Sequence, residues 1–177
     1  MTAEPGASEV QALWWLHDGR WYQEVASRFG HGTANEINAA ALRVVAVRVG
    51  KTVARLMGKA ADAFDHGDLV RALDLCRRRM WPDRYLRVEY AEGDDPDEVT
   101  LQLTRNYALH MVRLAGSLEH YRCPCDEVRA GWLEGLGFAV KENRTEGCLR
   151  DGDPACVQVS RLCPNSIQRN TDGARPV

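Results

Sequence analysis

Cys123, Cys125, Cys148 and Cys156 fall in the stretch YRCPCDEVRAGWLEGLGFAVKENRTEGCLRDGDPAC. Thiolates gathered like this can hold a metal, carry redox chemistry or supply a nucleophile. Their neighbours are Arg, Asp, Glu, Gly and Pro, not the apolar residues of a core. Zinc takes thiolate and imidazole ligands in a tetrahedron; Cys123-x-Cys125 and Cys148-x7-Cys156 are two candidate pairs. Neither has the C-x2-C spacing of a zinc knuckle, so a metal site, a reactive thiol and plain burial all stay open. Cys148 and Cys156 flank a turn with Gly152, Asp153 and Pro154, which would fold the chain back on itself. Cys125 opens an expected helix, where the dipole favours thiolate. Cys76 reads as core, and Cys163 has no assigned role.

The second concentration of chemistry is WWLHDGRWYQE. Trp14, Trp21 and Tyr22 offer large apolar walls for a ligand pocket, with Glu36 nearby. His17 is a candidate general base, oriented by Asp18. The opposing reading is that the tryptophans are core and His17–Asp18 an exposed pair. His120, three residues before Cys123, is a further candidate ligand or a solvated helix end.

These residues need elements to place them. Residues 1–7 read as a flexible lead, 8–162 as a single α+β domain and 163–177 as a disordered tail. Within the domain, 8–80 is helical and 85–162 carries the sheet and the cysteines. From Ser8, the residues Val10, Leu13, Trp14, Trp21, Val25 and Phe29 recur at helical spacing. Gly30 and Gly32 break that helix. Thr33 and Glu36 have capping-box spacing before a second helix, Ala34–Met57, whose expected apolar face includes Ile37, Val44, Val45, Val53 and Leu56. Gly50 falls inside it as a candidate bend. Lys59–Phe64 and a segment from Asp68 to Met80 follow, the latter ended by Pro82. Residues 85–90 and 99–103 alternate as a hairpin around EGDDPDE. Helices over 107–118 and 126–136 precede two strands, 138–144 and 156–162. Helices first, then strands joined by hairpin-type connections, predict α+β with an antiparallel sheet.

Net charge is −2 and the pI about 6.2, which gives no field for a nucleic-acid or membrane-surface partner. Lys51, Lys59 and Lys141 are the only lysines, and the surplus of arginine reads as coding bias. Arg77–Arg79 read as a solvated helix end. The N-terminus lacks a signal-peptide pattern and no apolar run could span a bilayer, so the expected compartment is the cytoplasm. Structural disulfides are rare there. No nucleophile elbow, Walker loop or dinucleotide fingerprint is present.

CLRDGDPAC, read with Cys123 and Cys125, resembles the cysteine-bearing end of the 4-vinyl reductase domain family. It is also similar to the L-2-amino-thiazoline-4-carboxylic acid hydrolase-like families. LWWLHDGRWYQEVASRFG followed by ANEIN resembles an uncharacterised bacterial branch near the latter. The resemblance implies a zinc site in which Cys148 and Cys156 form the pair and Cys125 the helix ligand. The family's acidic ligand falls on Thr145, with Glu146 adjacent, so the fourth position is open among Cys123, Glu146 and water. Two functions follow: a hydrolase-like enzyme on a small heterocycle or amide, using His17 and Asp18, or a non-catalytic small-molecule sensor with a structural zinc. No segment reads as a sensor's output domain, and the balance leans to the enzyme. A homodimer through the Ala34–Met57 helix is a third option.

Overall fold

The computed structural model describes residues 7–81, 83–92, 95 and 97–163. The expected lead and tail lie almost wholly outside these residues, as do Pro82 and part of the acidic turn. Helix α1 runs Ala7–Met57 and is interrupted at Gly30, where φ is 86° and ψ 156°. That backbone geometry is closed to residues with a Cβ. The two expected helices therefore exist, joined at one residue. A short 3-10 turn, Ala61–Ala63, leads to α2, His66–Met80. Asp65, not Asp68, is the N-cap: its carboxylate accepts from the Asp68 N–H at 2.7 Å, and Asp68 accepts back from Asp65 N–H. This is a capping box with two acids. Two more helices follow the first hairpin: α3, Tyr107–Leu114, capped by Asn106, and α4, Cys125–Leu136.

Strands β1 (Leu86–Glu92), β2 (Glu98–Asn106), β3 (Val140–Gly147) and β4 (Cys156–Leu162) form one antiparallel sheet in the order β1-β2-β4-β3. The fold class is α+β, as expected. In β2, Val99, Leu101 and Leu103 are buried at alternate positions. Their partners in β4 are Ser160, Gln158 and Cys156. Residues directly opposite share a face, so β4 turns a polar, sulfur-bearing row toward the helices. The main core joins that face to Val53 of α1, Leu69 and Leu73 of α2, and Trp132 and Leu133 of α4.

The apolar periodicity of α1 marks its buried face only in part. Val53 is buried as expected, but Leu13, Trp14, Phe29, Val44 and Leu56 are exposed, whereas Tyr22, Ala26, Ala34, Asn38 and Ala46 are buried. In the second arm the way α1 crosses α4 explains the small residues at the contact. A Cβ on Gly50 would lie 2.5 Å from the Trp132 carbonyl oxygen and 2.9 Å from Gly135 Cα. One on Gly131 would lie 2.8 Å from Ala46 Cβ. The helices touch backbone to backbone, a contact that selects small residues and leaves large ones outside. Gly50 is a contact point in this crossing and not the bend its sequence position suggested. Arg43 clasps the outside of the crossing, with Nη1 on Glu127 and Nη2 on Glu134, both at 2.8 Å. Gly135→Ala should destabilise the fold by about 1–3 kcal/mol, a fall in Tm of roughly 2–4 °C per kcal/mol. A circular-dichroism melt checks this; an unchanged Tm would mean the helices can separate without cost.

Candidate functional site

Between α1, the end of α2 and the inner face of the β1–β2 hairpin lies a cavity of about 90 Å³. Its aromatic side is built by a run of rings. Trp15 sits 5.8 Å from Trp81, and Trp81 meets Trp132 edge to face at 5.6 Å. The Trp132 indole N–H is turned away to the Met80 sulfur at 3.1 Å. Leu86, Leu101, Leu103 and Val128 supply the aliphatic side. Trp15, Asp18, Asn38 and Tyr107 also line an adjoining groove of about 340 Å³ between α1 and α3. A ligand therefore has a way in. Burial raises the Asp18 carboxyl above its ordinary value, against the opposing pull of His17.

The expected pocket residues are distributed differently. Trp14 and Trp21 are exposed, His17 is exposed against the Trp14 ring, and Glu36 is exposed. None of the four lines the cavity. Tyr22 is buried in a smaller core with Ala26, Leu109 and Tyr121, its hydroxyl donating to Asn35 Oδ1 at 2.9 Å. Trp15, Asp18 and Tyr22 face inward, whereas Trp14, His17 and Trp21 face outward. The face was displaced by one residue, which on a helix is about 100°. Asp18 lines the cavity within the electrostatic reach of His17, which itself lies outside the cavity lining.

The four cysteines do come together. Cys123, Cys125, Cys148 and Cys156 line one polar recess, and Cys123 and Cys125 line the apolar cavity as well. The two sites share a wall. Cys125 is the first residue of α4, and its sulfur lies 2.6 Å from that of Cys123. The hydrogen bond from Cys123 holds the Cys125 thiol below its ordinary value despite burial, with help from Gln158 and the charge of Arg129. Cys123, the proton holder of the pair, is pushed well up by that same bond and by burial. Burial pushes Cys156 up to about 12, although its sulfur accepts from the Leu149 N–H at 3.3 Å. Cys148 begins the turn: its N–H donates to Asp153 Oδ2 at 2.7 Å, and its carbonyl accepts from Asp151 and Asp153.

Among the described residues no group of three or more His, Cys, Asp and Glu side chains stands in metal-ligand geometry. The donor chemistry nevertheless suits zinc. With bonds of about 2.3 Å, tetrahedral zinc spreads its sulfurs roughly 3.8 Å apart, so Cys123 and Cys125 would have to part. Glu146 lines the recess but is tied to Arg144 Nε at 2.9 Å. Asp126, which was not foreseen, also lines it, accepting from Arg129 and Thr145. His120 is exposed and meets the His31 ring at 4.8 Å.

Two cavity residues escaped the sequence reading. Arg77 is 4% exposed, not part of a solvated run. Its place four residues after Leu73, on the buried stripe of Leu69, Leu73 and Cys76, was the available signal. Tyr90 lines the cavity from β1.

No family model and no curated protein matches this chain. Solved structures do. A trafficking protein particle complex subunit 3 from Naegleria fowleri, covalently bound to palmitic acid, superposes with a TM-score of 0.65 at 14% identity, over 88% of this chain and 96% of that one. The phenol-responsive sensory domain of the transcription activator PoxR, solved with phenol, gives 0.61 at 14% identity, over 86% of this chain and 73% of that one. These likenesses establish a shared α+β fold. Among the described residues no helix is long and apolar enough to cross a membrane.

Cys76 stands apart from this chemistry. Burial in the core pushes its thiol up to about 12 from an ordinary 9. The folded state therefore prefers the protonated form. That contribution is whole below pH 9 and is lost as pH rises from 9 toward 12. Cys76→Val, which cannot ionise, should show a shallower fall of Tm than the native chain between pH 9 and 11 in scanning fluorimetry. Parallel curves would contradict the assignment.

Proposed function

We propose that this chain is a non-catalytic small-molecule-binding domain of the 4-vinyl reductase type, holding one small ring-bearing ligand in its apolar cavity. The observation that carries this reading is the cavity itself: tryptophans on one side, aliphatic residues on the other, and a groove leading in. Pockets of this character are the usual place for small ligands. The CLRDGDPAC turn and the fold shared with a phenol-responsive sensory domain support the family. An apolar cavity of about 150 Å³ accommodates benzene; the cavity of about 90 Å³ together with the adjoining groove of about 340 Å³ has room for one small ring.

The cysteine cluster is part of the proposal as a structural zinc site. Cys125 would bind from the start of α4, and Cys148 and Cys156 from the two sides of the β3–β4 turn, with Cys123 or an acidic neighbour completing the set. A metal there would clamp the helix start to the sheet. The hydrolase-like reading needs His17 beside Asp18 at the cavity, and His17 is exposed outside it.

Two measurements test this. Phenol or toluene at millimolar concentration should raise Tm and alter tryptophan emission, since Trp15, Trp81 and Trp132 ring the cavity. Val88→Phe, which fills it, should abolish both effects; no response from the native chain would refute the ligand reading. Protein purified without added metal should contain about one zinc per chain, and Cys148→Ser should lose both the metal and several degrees of Tm. Metal-free native protein would remove the zinc.

A further inference from the structure

One polar corner of the cavity holds two buried atoms that lack a well-formed hydrogen bond. Arg77 comes from the last turn of α2 and forms a wall with Leu86 and Val88. The cavity lies on one side and an outer recess holding Asp74 and Asp83 on the other. Three of the guanidinium's hydrogen bonds serve the outer side. Nε and Nη2 donate to Asp74 Oδ1 at 3.1 and 2.9 Å, and Nη2 also reaches Asp83 Oδ1 at 2.7 Å. Nη1 is buried and has no well-formed partner. Tyr90, on β1, lines the same cavity, and its hydroxyl is likewise buried without a well-formed partner. The two side chains are neighbours: Arg77 opposes the upward push of burial on the Tyr90 phenol by its charge and by a weak side-chain hydrogen bond, too poor in geometry to satisfy either group.

A buried donor left without an acceptor costs about 1–3 kcal/mol, and more when it is charged. Two of them in one apolar cavity call for a ligand group. Its chemistry is constrained. Guanidinium offers only donors, and the phenol hydroxyl has one proton to give. The matching group must present accepting lone pairs in two directions and lie at the end of something apolar. A carboxylate does this with its two oxygens, and guanidinium binds it preferentially. The rest of the cavity, walled by Trp81 and Trp132, is suited to a flat ring.

The charges around the corner are nearly balanced. Arg77 and Arg78 are paired with Asp74 and Asp83 on the outer side; the Asp74 charge is felt at the Tyr90 phenol, so the attraction for a carboxylate comes from direct hydrogen bonds to Arg77 Nη1 and Tyr90 Oη and not from a net positive field. The other acid lining the cavity is Asp18, whose burial favours its neutral form.

Building on the ring-binding reading above, we infer that the cavity recognises a small aromatic carboxylate, its carboxylate accepting from Arg77 Nη1 and Tyr90 Oη and its ring lying among the tryptophans. The corner gives the cavity a preference that its apolar walls alone could not supply.

Titration of the full chain with benzoate, phenol and toluene at pH 7, followed by tryptophan fluorescence and calorimetry, tests the assignment. Benzoate should bind at least about tenfold more tightly than either neutral ring, as expected for a charge-assisted pair in a dry site. Tyr90→Phe should weaken benzoate about three- to tenfold and leave toluene unchanged. Arg77→Gln should abolish the preference; because Arg77 also ties Asp74 and Asp83, the Tyr90 variant is the decisive one if that protein does not fold. Benzoate binding no tighter than the neutral rings, or an unaltered benzoate affinity in Tyr90→Phe, overturns the inference and leaves the ring-binding reading standing. Failure of all three compounds to bind overturns both.

Discussion

The rest of the structure depends on the backbone-to-backbone crossing of α1 and α4. Gly50, Gly131 and Gly135 remove the side chains that would hold the helices apart. Closeness there sets where α4 lies over the sheet, and so where its first residue, Cys125, meets Gln158 and Cys156 of β4. It also sets the distance between Trp132 on α4 and Trp15 on α1, the two ends of the ring run on the cavity's aromatic side. A wider crossing would open the cavity and pull the helix start away from the β3–β4 turn together. The stabilisation is dispersion and exclusion of water, since almost no polar group enters the contact apart from the Arg43 clasp at its rim.

The cavity and the cysteine recess are two sides of Cys123-Pro124-Cys125. This segment is held from several directions. Asn35 on α1 accepts from the Arg122 N–H and donates to the His120 carbonyl, both at 2.9 Å, while Arg150 in the β3–β4 turn donates to the Tyr121 carbonyl at 3.0 Å. The polar row of β4 fits this arrangement: Gln158 supports the Cys125 sulfur, and Ser160 reaches Asn143 at 2.6 Å, which in turn accepts from buried Arg129.

Elements whose signals are local were legible. The alternation in β2, the start of α4 and the turn between Cys148 and Cys156 all follow from their own residues, and the α+β class follows from their order. What was not legible depended on tertiary contact. The buried face of α1 is Ala and Gly where it crosses α4, so hydrophobicity there points to the opposite side; in the first arm, with aromatic residues on both faces, the pattern does not separate Trp14 and Trp21 from Trp15, which lines the cavity. Arg77 looked like one charge in a run of three because its carboxylate partners, Asp74 and Asp83, matter only once α2 is packed. The four cysteines are recognisable as a group because their polar neighbours leave few reasons for burial; that the Cys125 thiol is held below its ordinary value depends on the hydrogen bond with Cys123 and then on Gln158 and Arg129, which only the fold brings near.

Gly30 makes α1 a lever. Trp15 lies fifteen residues before that interruption, about 22 Å along the helix axis at 1.5 Å per residue. A change of about 10° in the angle at Gly30 would carry Trp15 roughly 4 Å, a whole carbon–carbon contact distance. The first arm of α1 is held against this by Tyr22 and Ala26 packing on Leu109, Val112 and Tyr121. That small second core, which contains no tryptophan, is therefore what holds Trp15 at its height over the cavity.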